Sequence, residues 1–373
     1  MERFIIKELT SNNLSEELLQ IGFDEGYRNV FTDKLRHKNI KIYNLTPAQA
    51  NILKQLALSV GADCGTHREV ITGKVEKSDA ILCGNISQIK KIAQKLKPQP
   101  FKLNLLGENL LSILKQQSHE TKLVGILNIT PDSFSDGGEY YKIEDAQKHL
   151  IKLIEDGADI IDIGAESTRP YSEEISPEVQ IERLKPILNF INEEKIKTPI
   201  SIDTRSSIVA EFALDRGVKI INDVSGFDYD TKIAEVTARY NATIIIQHSY
   251  GIPRKMQENP QYKNVVEDIY FKLKEKIEFA QKKGINNIII DPGIGFGKTR
   301  ENNFEILNRI EEFHSLNAPI MVGLSRKSLL GIKEHDNGLK DSLSAALSFT
   351  LINKIDYLRV HNVKLHKALL NLM

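Results

Sequence analysis

Several cationic side chains stand directly after short apolar runs in the second part of the chain. Guanidinium, ammonium and imidazolium groups that meet at one rim suit an anionic group such as a diphosphate, because each donates charge-assisted hydrogen bonds to phosphate oxygens. The residues of this type are Arg169, Lys327, Arg359 and His361.

A second set of side chains after the same runs is neutral or acidic. Asp203, Asn222 and Asp291 present acceptors and an amide, which match the edge of a flat nitrogen heterocycle. Asn128 offers a neutral oxygen that suits Mg²⁺ shared mainly with phosphate oxygens. The sequence has no evident Ser-His-Asp or Cys-His nucleophile set. Together the two sets predict a site for a heterocycle that carries a charged leaving group.

The elements that must position these residues are eight β-branched runs, which alternate with amphipathic helical stretches from about Thr121 onward. Short runs that are apolar throughout are typical of strands buried on both faces. Eight strand–helix units in roughly 250 residues predict a (β/α)8 TIM barrel, with a doubly wound sheet as the alternative. Reactive groups of such barrels stand at the C-terminal ends of the strands, so we expect the polar residues at one mouth. The runs begin at Leu123, Asp159, Pro199, Lys219, Thr243, Asn287, Pro319 and Asp356.

The first part of the chain has a different, mixed pattern. It begins with a strand-like stretch over residues 2–9, and a segment with two prolines, residues 95–102, ends the pattern. Residues 108–122 are interpreted as a connector. We therefore predict a small α+β domain of unknown role over residues 1–118 and a catalytic barrel over residues 119–373.

The composition excludes several classes of protein. Fifty basic and 50 acidic residues give a formal net charge of zero, which argues against a nucleic-acid partner. The first residues are charged where a signal peptide is apolar, and no run of about 18 apolar residues predicts a membrane span. Cys64 and Cys83 form no CxxC pair and are typical of free thiols in a reducing compartment. We expect a cytoplasmic protein with no membrane contact.

Two features are weak signals when taken alone. The glycine-rich run that starts at Gly293 has neither the Walker nor the Rossmann spacing, because Pro292 and Lys298 stand where those motifs require glycine. It is typical of a turn between a strand and a helix. His248 and His361 have no metal-ligand spacing with other residues, so no zinc site is indicated.

Seven motifs in order resemble those of dihydropteroate synthases. They are NITPDSFSDGG from Asn128, ESTRP from Glu166, SIDT from Ser201, NDVSG from Asn222, DPGIGFGK from Asp291, SRK from Ser325 and RVH from Arg359. The resemblance covers about residues 121–373. It implies a transferase of folate biosynthesis that condenses (7,8-dihydropterin-6-yl)methyl diphosphate with 4-aminobenzoate, giving 7,8-dihydropteroate and diphosphate. It also implies Mg²⁺ as cofactor, a homodimer and inhibition by sulfonamides.

The resemblance further implies roles for individual residues. Asn128 would ligate Mg²⁺ on the diphosphate, and Lys327 would contact both the pterin and the aminobenzoate region. The pterin would be held by Asp203, Asn222 and Asp291. The catalytic residues would be Asp203, Lys327 and Arg359. The leaving diphosphate would be bound by Thr168, Arg359 and His361, with Arg169 beside them. The aminobenzoate pocket would include Phe134, Pro170 and Ser325.

The sequence departs from the family pattern at three positions. Tyr171 stands where glycine usually follows ESTRP, and Gln247 replaces a methionine that normally packs on the pterin. Asn362 follows RVH, where aspartate is common. None of the three is implied to bind diphosphate or Mg²⁺, so we expect effects on substrate affinity or on the response to sulfonamides.

Three other functions fit parts of the pattern. A pterin-binding methyltransferase acting on methyltetrahydrofolate shares DPG and NDVSG, but the SRK and NITPDSFSDGG motifs count against it. A Schiff-base aldolase would use Lys327, whose pKa the neighbouring Arg326 would depress. A catalytically inactive partner subunit is disfavoured by the complete set of polar residues.

Overall fold

The computed structural model describes residues 6–9, 14–115, 120–130, 139–166, 174–249, 260–332 and 336–372. By its internal contacts the chain divides into two compact units, Met1–Gln117 and Ser118–Met373. Across the described residues, no helix combines the length and the apolar character needed to span a membrane.

The first unit is an α+β fold built around a small antiparallel sheet. Its described strands are β1 His37–Leu45, β2 Asp63–Thr66 and β3 Ser78–Asn85, in the spatial order β1-β3-β2. Its described helices are α1 Leu14–Gln20, α2 Glu25–Leu35, α3 Pro47–Leu58, α4 Ile86–Leu96 and α5 Leu103–Ile113.

Local sequence signals fix the helices that cover this sheet. Thr46 and Asn85 each begin a helix with a capping box, in which the side chain accepts the N–H of the third helical residue. Leu53 of α3 and Leu82 of β3 are fully buried between the layers. Burial of a leucine contributes about 1.5–3 kcal/mol, so this packing outweighs the capping terms.

Two expectations about this unit are wrong. Residues 6–9 have no regular secondary structure, and Ile6 is exposed, so the described part of the predicted opening strand is not a strand. The predicted connector begins too early, because residues 108–113 belong to α5 and its Leu110 is buried in the core of the unit. The physical reason is that α5 has an apolar face that packs into the core of the unit, so the helix continues into the predicted connector.

The second unit contains eight described strands, each within one or two residues of a predicted run. They are β4 Lys122–Asn128, β5 Ile160–Gly164, β6 Ile200–Asp203, β7 Ile220–Asp223, β8 Thr243–Gln247, β9 Ile288–Asp291, β10 Met321–Val322 and β11 Tyr357–Val360. All pair in parallel, in the order β10-β11-β4-β5-β6-β7-β8-β9. A parallel bridge between Ile290 and Ile320 joins the two ends of the sheet. The TIM-barrel prediction is confirmed.

A helix follows each strand of the barrel. The helices are α6 Glu139–Glu155, α7 Pro177–Glu193, α8 Ser207–Leu214, α9 Lys232–Arg239, α10 Val265–Lys282, α11 Arg300–Asn308, α12 Asn337–Phe349 and α13 Val363–Leu370. The predicted apolar face of α6 is buried at Ala146, Leu150 and Leu153. Gly157, beyond its end, has a φ of 96°, which favours glycine and lets the chain turn back toward β5.

The interior of the barrel is apolar at one end and polar at the other. Near the N-terminal ends of the strands it is filled by a cluster formed by Val124, Ile160, Ile220, Ile245, Ile289 and Met321. Side chains two residues apart on a strand face the same way, so each of these strands has further inward positions toward its C-terminal end. There the inward side chains become polar. The apolar layer closes the bottom of the barrel and leaves the polar groups at its C-terminal mouth.

Candidate active site at the mouth of the barrel

Five of the predicted residues lie at the C-terminal ends of strands. Asn128, Asp203 and Asp291 are the last residues of β4, β6 and β9, and Asn222 and Arg359 are the penultimate residues of β7 and β11. Gly164, the last residue of β5, lies between two of them in the sheet. A Cβ atom there would be 3.2 Å from Asn128 Oδ1 and 3.8 Å from the Cβ atom of Asp203. The absence of a side chain on β5 therefore keeps the mouth open.

Arg359 lies at the centre of a buried network. Its Nε donates to Asp162 Oδ2 at 2.6 Å, and its Nη2 donates to Asp203 Oδ2 at 2.8 Å. Asn222 Nδ2 donates to the same Asp162 oxygen at 3.0 Å. Asp162 was missed by the sequence reasoning, although its position between Ile160 and Gly164 on the inward face of β5 could have indicated it.

Four side-chain oxygens on three adjoining strands are buried without a hydrogen-bond partner among the described residues. They are Asp162 Oδ1, Ser201 Oγ, Asp203 Oδ1 and Asn222 Oδ1. Buried polar atoms are normally paired in native proteins, so a group of unpaired acceptors requires a ligand or water with donors. This wall of the mouth can accept hydrogen bonds from the N–H groups of a heterocycle.

Asp291 and Lys327 form the opposite side of the mouth. Asp291 Oδ1 accepts the N–H of Gly293 at 2.7 Å, which fixes the carboxylate at the end of β9. Lys327 Nζ donates to the Ile294 carbonyl at 2.5 Å and lies 4.5 Å from the centre of the Phe296 ring. The ammonium thus contacts the glycine-rich segment after β9. The same segment supplies the Gly293 N–H that Asp291 accepts.

Ser325 and His361 lie together after β10 and β11. Ser325 Oγ is 3.0 Å from His361 Nδ1, and it accepts the backbone N–H of His361 at 3.3 Å. Ser325 is buried, whereas His361 is half-buried. The pair places an imidazole beside the mouth.

Arg326 points away from the site. Its guanidinium forms a two-pronged ion pair with Asp341, at 2.7 and 2.8 Å. The expectation that Arg326 would depress the pKa of Lys327 is wrong. Burial lowers the pKa of Lys327 to about 8, while Asp291 acts in the opposite direction and Arg359 reinforces the decrease.

Burial also changes the pKa values of the two carboxylates that face Lys327 and Arg359. Burial raises the pKa of Asp203 to about 7, against the opposing effect of the Arg359 charge, and Asp162 raises it further. Burial raises the pKa of Asp291 as well, and Lys327 opposes that change. Groups whose pKa lies near neutrality in a polar cleft are typical of active sites.

Asn128 contributes one neutral oxygen to the mouth. The described residues contain no group of three or more His, Cys, Asp or Glu side chains that could hold a metal ion. A single amide oxygen at the mouth suits Mg²⁺ only if the ion takes most of its ligands from substrate phosphates and water. The donor set therefore fits a metal that arrives with a diphosphate.

Some predicted residues lie outside the described part of the chain. Thr168, Arg169, Pro170 and Phe134 are among them, as is Tyr171. The residues on either side of the segment 167–173 are joined by Arg205, which pairs with Glu166 at 2.9 Å and with Glu174 at 3.6 Å.

Comparison with known proteins gives the family. Residues 124–361 match the family model of pterin binding enzymes. A dihydropteroate synthase of Clostridium beijerinckii is 43% identical over 248 residues, which cover 65% of this chain and 89% of that protein. The chain belongs to the dihydropteroate synthase family.

Other relatives of the dihydropteroate synthase family extend the match in different ways. The bifunctional dihydropteroate synthase/dihydropteroate reductase of Helicobacter pylori is 34% identical over 372 residues, covering 97% of this chain and 96% of that protein. A probable bifunctional folylpolyglutamate synthase/dihydropteroate synthase of Haloferax volcanii is 34% identical, but the chain spans only 41% of its length. The match with the Helicobacter pylori protein is therefore long enough to include the N-terminal unit, whereas the clostridial match is too short to cover both units.

A solved dihydropteroate synthase structure agrees with the barrel. The enzyme from Clostridium difficile, crystallised in the presence of pteroic acid, is 36% identical with a TM-score of 0.64. The match covers 69% of this chain and 97% of that one.

Two of the departures from the dihydropteroate synthase pattern have a structural role here. Asn362 begins α13, where its side chain accepts the N–H of Leu365, and it also donates to Asp341 at 3.3 Å. Gln247 is buried and donates to the Val224 carbonyl at 3.4 Å. Asn362 thus serves as a helix cap at the position that is commonly aspartate in the family.

Proposed function

We propose that this chain condenses (7,8-dihydropterin-6-yl)methyl diphosphate with 4-aminobenzoate, giving 7,8-dihydropteroate and diphosphate. The observation that carries the proposal is the group of unpaired acceptors, among them Asp203 and Asn222, beside the cations Arg359 and Lys327. A diphosphate ester of an aminopyrimidine-containing ring has donors for the first set and negative charge for the second.

The pterin is proposed to bind deep in the mouth. Asn222 and Asp203 would receive its N–H donors, and Asp291 would complete the edge from the other side. The apolar layer beneath, which includes Ile245, gives a flat ring a surface to pack on. Burial of these polar groups strengthens each hydrogen bond to the ring and penalises a ligand that leaves one unpaired.

The diphosphate is proposed to lie at the rim. Arg359 and His361 would donate to its oxygens, together with Thr168 and Arg169, and Asn128 would ligate Mg²⁺ bound to the same group. When bound, Mg²⁺ supplies positive charge that makes diphosphate a better leaving group. Arg359 is already oriented by Asp162 and Asp203, so little reorganisation is needed when the leaving group gains charge.

The chemical step exchanges one bond for another at the methylene carbon. The C–O bond breaks and its electron pair leaves with diphosphate, while the lone pair of the arylamine forms the new C–N bond. One N–H proton of the amine is then lost to solvent. The ionised Asp203 would stabilise the positive charge that develops on the dihydropterin, and the neutral arylamine needs no strong general base.

The aminobenzoate is proposed to enter above the pterin. Lys327 would lie between the two substrates, and Ser325 would line the outer pocket with Phe134 and Pro170. A matched pair of variants tests this arrangement of the two substrates. Asn222→Ala is expected to raise the KM for the dihydropterin diphosphate, whereas Ser325→Ala is expected to raise the KM for 4-aminobenzoate. Equal effects of both variants on both KM values would contradict the two-pocket arrangement.

A second activity is favoured by the full-length match with the Helicobacter pylori protein, whose name includes dihydropteroate reductase. We propose that this chain also reduces 7,8-dihydropteroate to tetrahydropteroate, with a hydride from a reduced nicotinamide or flavin and a proton from solvent. Formation of tetrahydropteroate by the full chain, with each donor tested separately, would support this activity. No product with either donor would contradict it.

A homodimer and a cytoplasmic location are further proposals, and both rest on the resemblance to dihydropteroate synthases. Sedimentation at several protein concentrations tests the first, and cell fractionation tests the second. A monomer at all concentrations, or recovery outside the cytoplasmic fraction, would contradict them.

A further inference from the structure

Lys298 is a buried lysine at the end of the glycine-rich segment 293–298, and only 4% of the residue is exposed. Its Nζ donates to the carbonyl oxygens of Gly293 and Phe296, at 2.8 and 2.9 Å, and more weakly to the His248 carbonyl at 3.4 Å. His248 Nδ1 lies 3.1 Å away. Burying an ammonium without a bonded carboxylate is costly, so this arrangement needs a reason.

The imidazole of His248 is suited to accept a hydrogen bond from this ammonium. Burial and the charge of Lys298 lower the pKa of His248 well below its ordinary value, which leaves the ring neutral. Burial likewise lowers the pKa of Lys298, and Asp291 opposes that change. The acceptors that contact Lys298 are neutral, and they lie on His248, directly after β8, or on the segment after β9.

The backbone of the segment is shaped to turn its carbonyls toward Lys298. Gly293, Gly295 and Gly297 all have positive φ, at 72°, 83° and 61°. A Cβ atom on Gly293 would lie 1.8 Å from the His248 carbonyl oxygen, so no other residue fits there. Without the Lys298 ammonium, the carbonyl oxygens of Gly293 and Phe296 would lie near one another and would lack this hydrogen-bond donor.

The same segment contacts two residues of the proposed pterin site. The N–H of Gly293 is donated to Asp291, and the Ile294 carbonyl accepts from Lys327. Gly293 therefore offers its carbonyl to Lys298 and its N–H to Asp291. A change in the position of this one residue alters the placement of the carboxylate.

We propose that Lys298 is a positioning residue for the pterin site. Its ammonium draws the Gly293 and Phe296 carbonyls inward, and this fixes the segment that holds Asp291 and Lys327 in place. The role of Lys298 rests on the proposed function to the extent that Asp291 and Lys327 bind the pterin.

A pair of variants separates the charge of Lys298 from its volume. Lys298→Ala removes the ammonium and three methylene groups, which leaves space for n-propylammonium, whereas Lys298→Met fills the space without a charge. Both variants are expected to bind 6-hydroxymethylpterin about tenfold more weakly than the wild type, which corresponds to the loss of about 1.4 kcal/mol. Added n-propylammonium is expected to restore affinity in Lys298→Ala and not in Lys298→Met. Lys283→Ala, which removes an exposed lysine paired with Glu235, is expected to bind like the wild type.

Hydrogen exchange provides a readout that needs no substrate. In the unliganded Lys298→Met variant, the amides of Gly293 and Gly295 are expected to exchange faster than in the wild type, because their segment has lost its central donor. Lack of turnover by a wild type that binds pterin would contradict the proposed function and leave this test intact.

Three results would overturn the inference. The first is wild-type pterin affinity in both variants. The second is an affinity loss that n-propylammonium does not reverse in Lys298→Ala, together with unchanged exchange at Gly293. The third is failure of both variants to fold, which would assign Lys298 to the stability of the whole barrel rather than to the site.

Discussion

Replacing Asp162 by Asn changes the centre of the site without changing its volume. Asp162 is fully buried and accepts from Arg359 Nε at 2.6 Å and from Asn222 Nδ2 at 3.0 Å. The loss of a hydrogen bond to a charged group costs about 1.5–3 kcal/mol. This range is an upper limit for the net effect, because the change also removes repulsion between Asp162 and Asp203, which share Arg359.

The same change alters the pH dependence in a direction that the structure fixes. Burial is the main reason for the raised pKa of Asp203, and the charge of Asp162 raises it further. The ionised form of Asp203 is the one proposed to stabilise the developing cation. Turnover of the wild type is therefore expected to rise as the pH increases through about 7. In Asp162→Asn this rise is expected at lower pH.

The assay is kcat/KM for the dihydropterin diphosphate, measured against pH for the wild type and the variant. Above the rise, kcat/KM of Asp162→Asn is expected to be lower by up to about 100-fold, since the common acceptor of Arg359 and Asn222 loses its negative charge. Asp230→Asn is a suitable control. It removes a carboxylate that accepts the backbone N–H groups of Ser207 and Lys232. It is therefore expected to affect stability and to leave unchanged the pH at which kcat/KM rises. If kcat/KM of Asp162→Asn rises at the same pH as in the wild type, Asp203 is not the group whose ionisation sets this rise.

Three further predictions concern other parts of the site. Lys327→Ala is expected to lower kcat strongly with an unchanged far-UV circular dichroism spectrum. It should also remove the fall in wild-type turnover that we expect above about pH 8, where Lys327 loses its proton; near-normal turnover would contradict its assignment. Gly293→Ala places a Cβ atom against the His248 carbonyl, so pterin affinity measured by titration is expected to be lost; wild-type affinity would show that the segment can move freely. Asn128→Ala is expected to raise the Mg²⁺ concentration needed for half-maximal rate, and an unchanged requirement would exclude Asn128 as a ligand.

The barrel could be predicted because its strands are local features of the sequence. Each run such as the one ending at Gln247 is apolar, short and followed by turn residues, and this pattern survives in the structure. The location of the candidate site residues could be predicted because parallel strands bring their C-terminal ends together. In a barrel, residues at strand ends such as Asp203, Asn222 and Asp291 are expected at the same mouth.

Other features depend on contacts between distant segments and could not be predicted in this way. Lys298 resembled the end of an ordinary glycine-rich turn, and its burial arises only because His248 of the preceding strand–helix unit packs on it. Asp162 lies inside an apolar run, where its charge is tolerated because Arg359, 197 residues later, pairs with it. Strand β2 has only four residues and little apolar character, so its pairing with β3 is set by the sheet rather than by its own sequence.

The most direct test of the proposed condensation is the stoichiometry of its products. The full chain is incubated with the dihydropterin diphosphate, with and without 4-aminobenzoate and Mg²⁺, and both diphosphate and 7,8-dihydropteroate are quantified. Equal amounts of the two products are expected, formed only when both 4-aminobenzoate and Mg²⁺ are present. Tight pterin binding without diphosphate release under any of these conditions would contradict the proposed condensation.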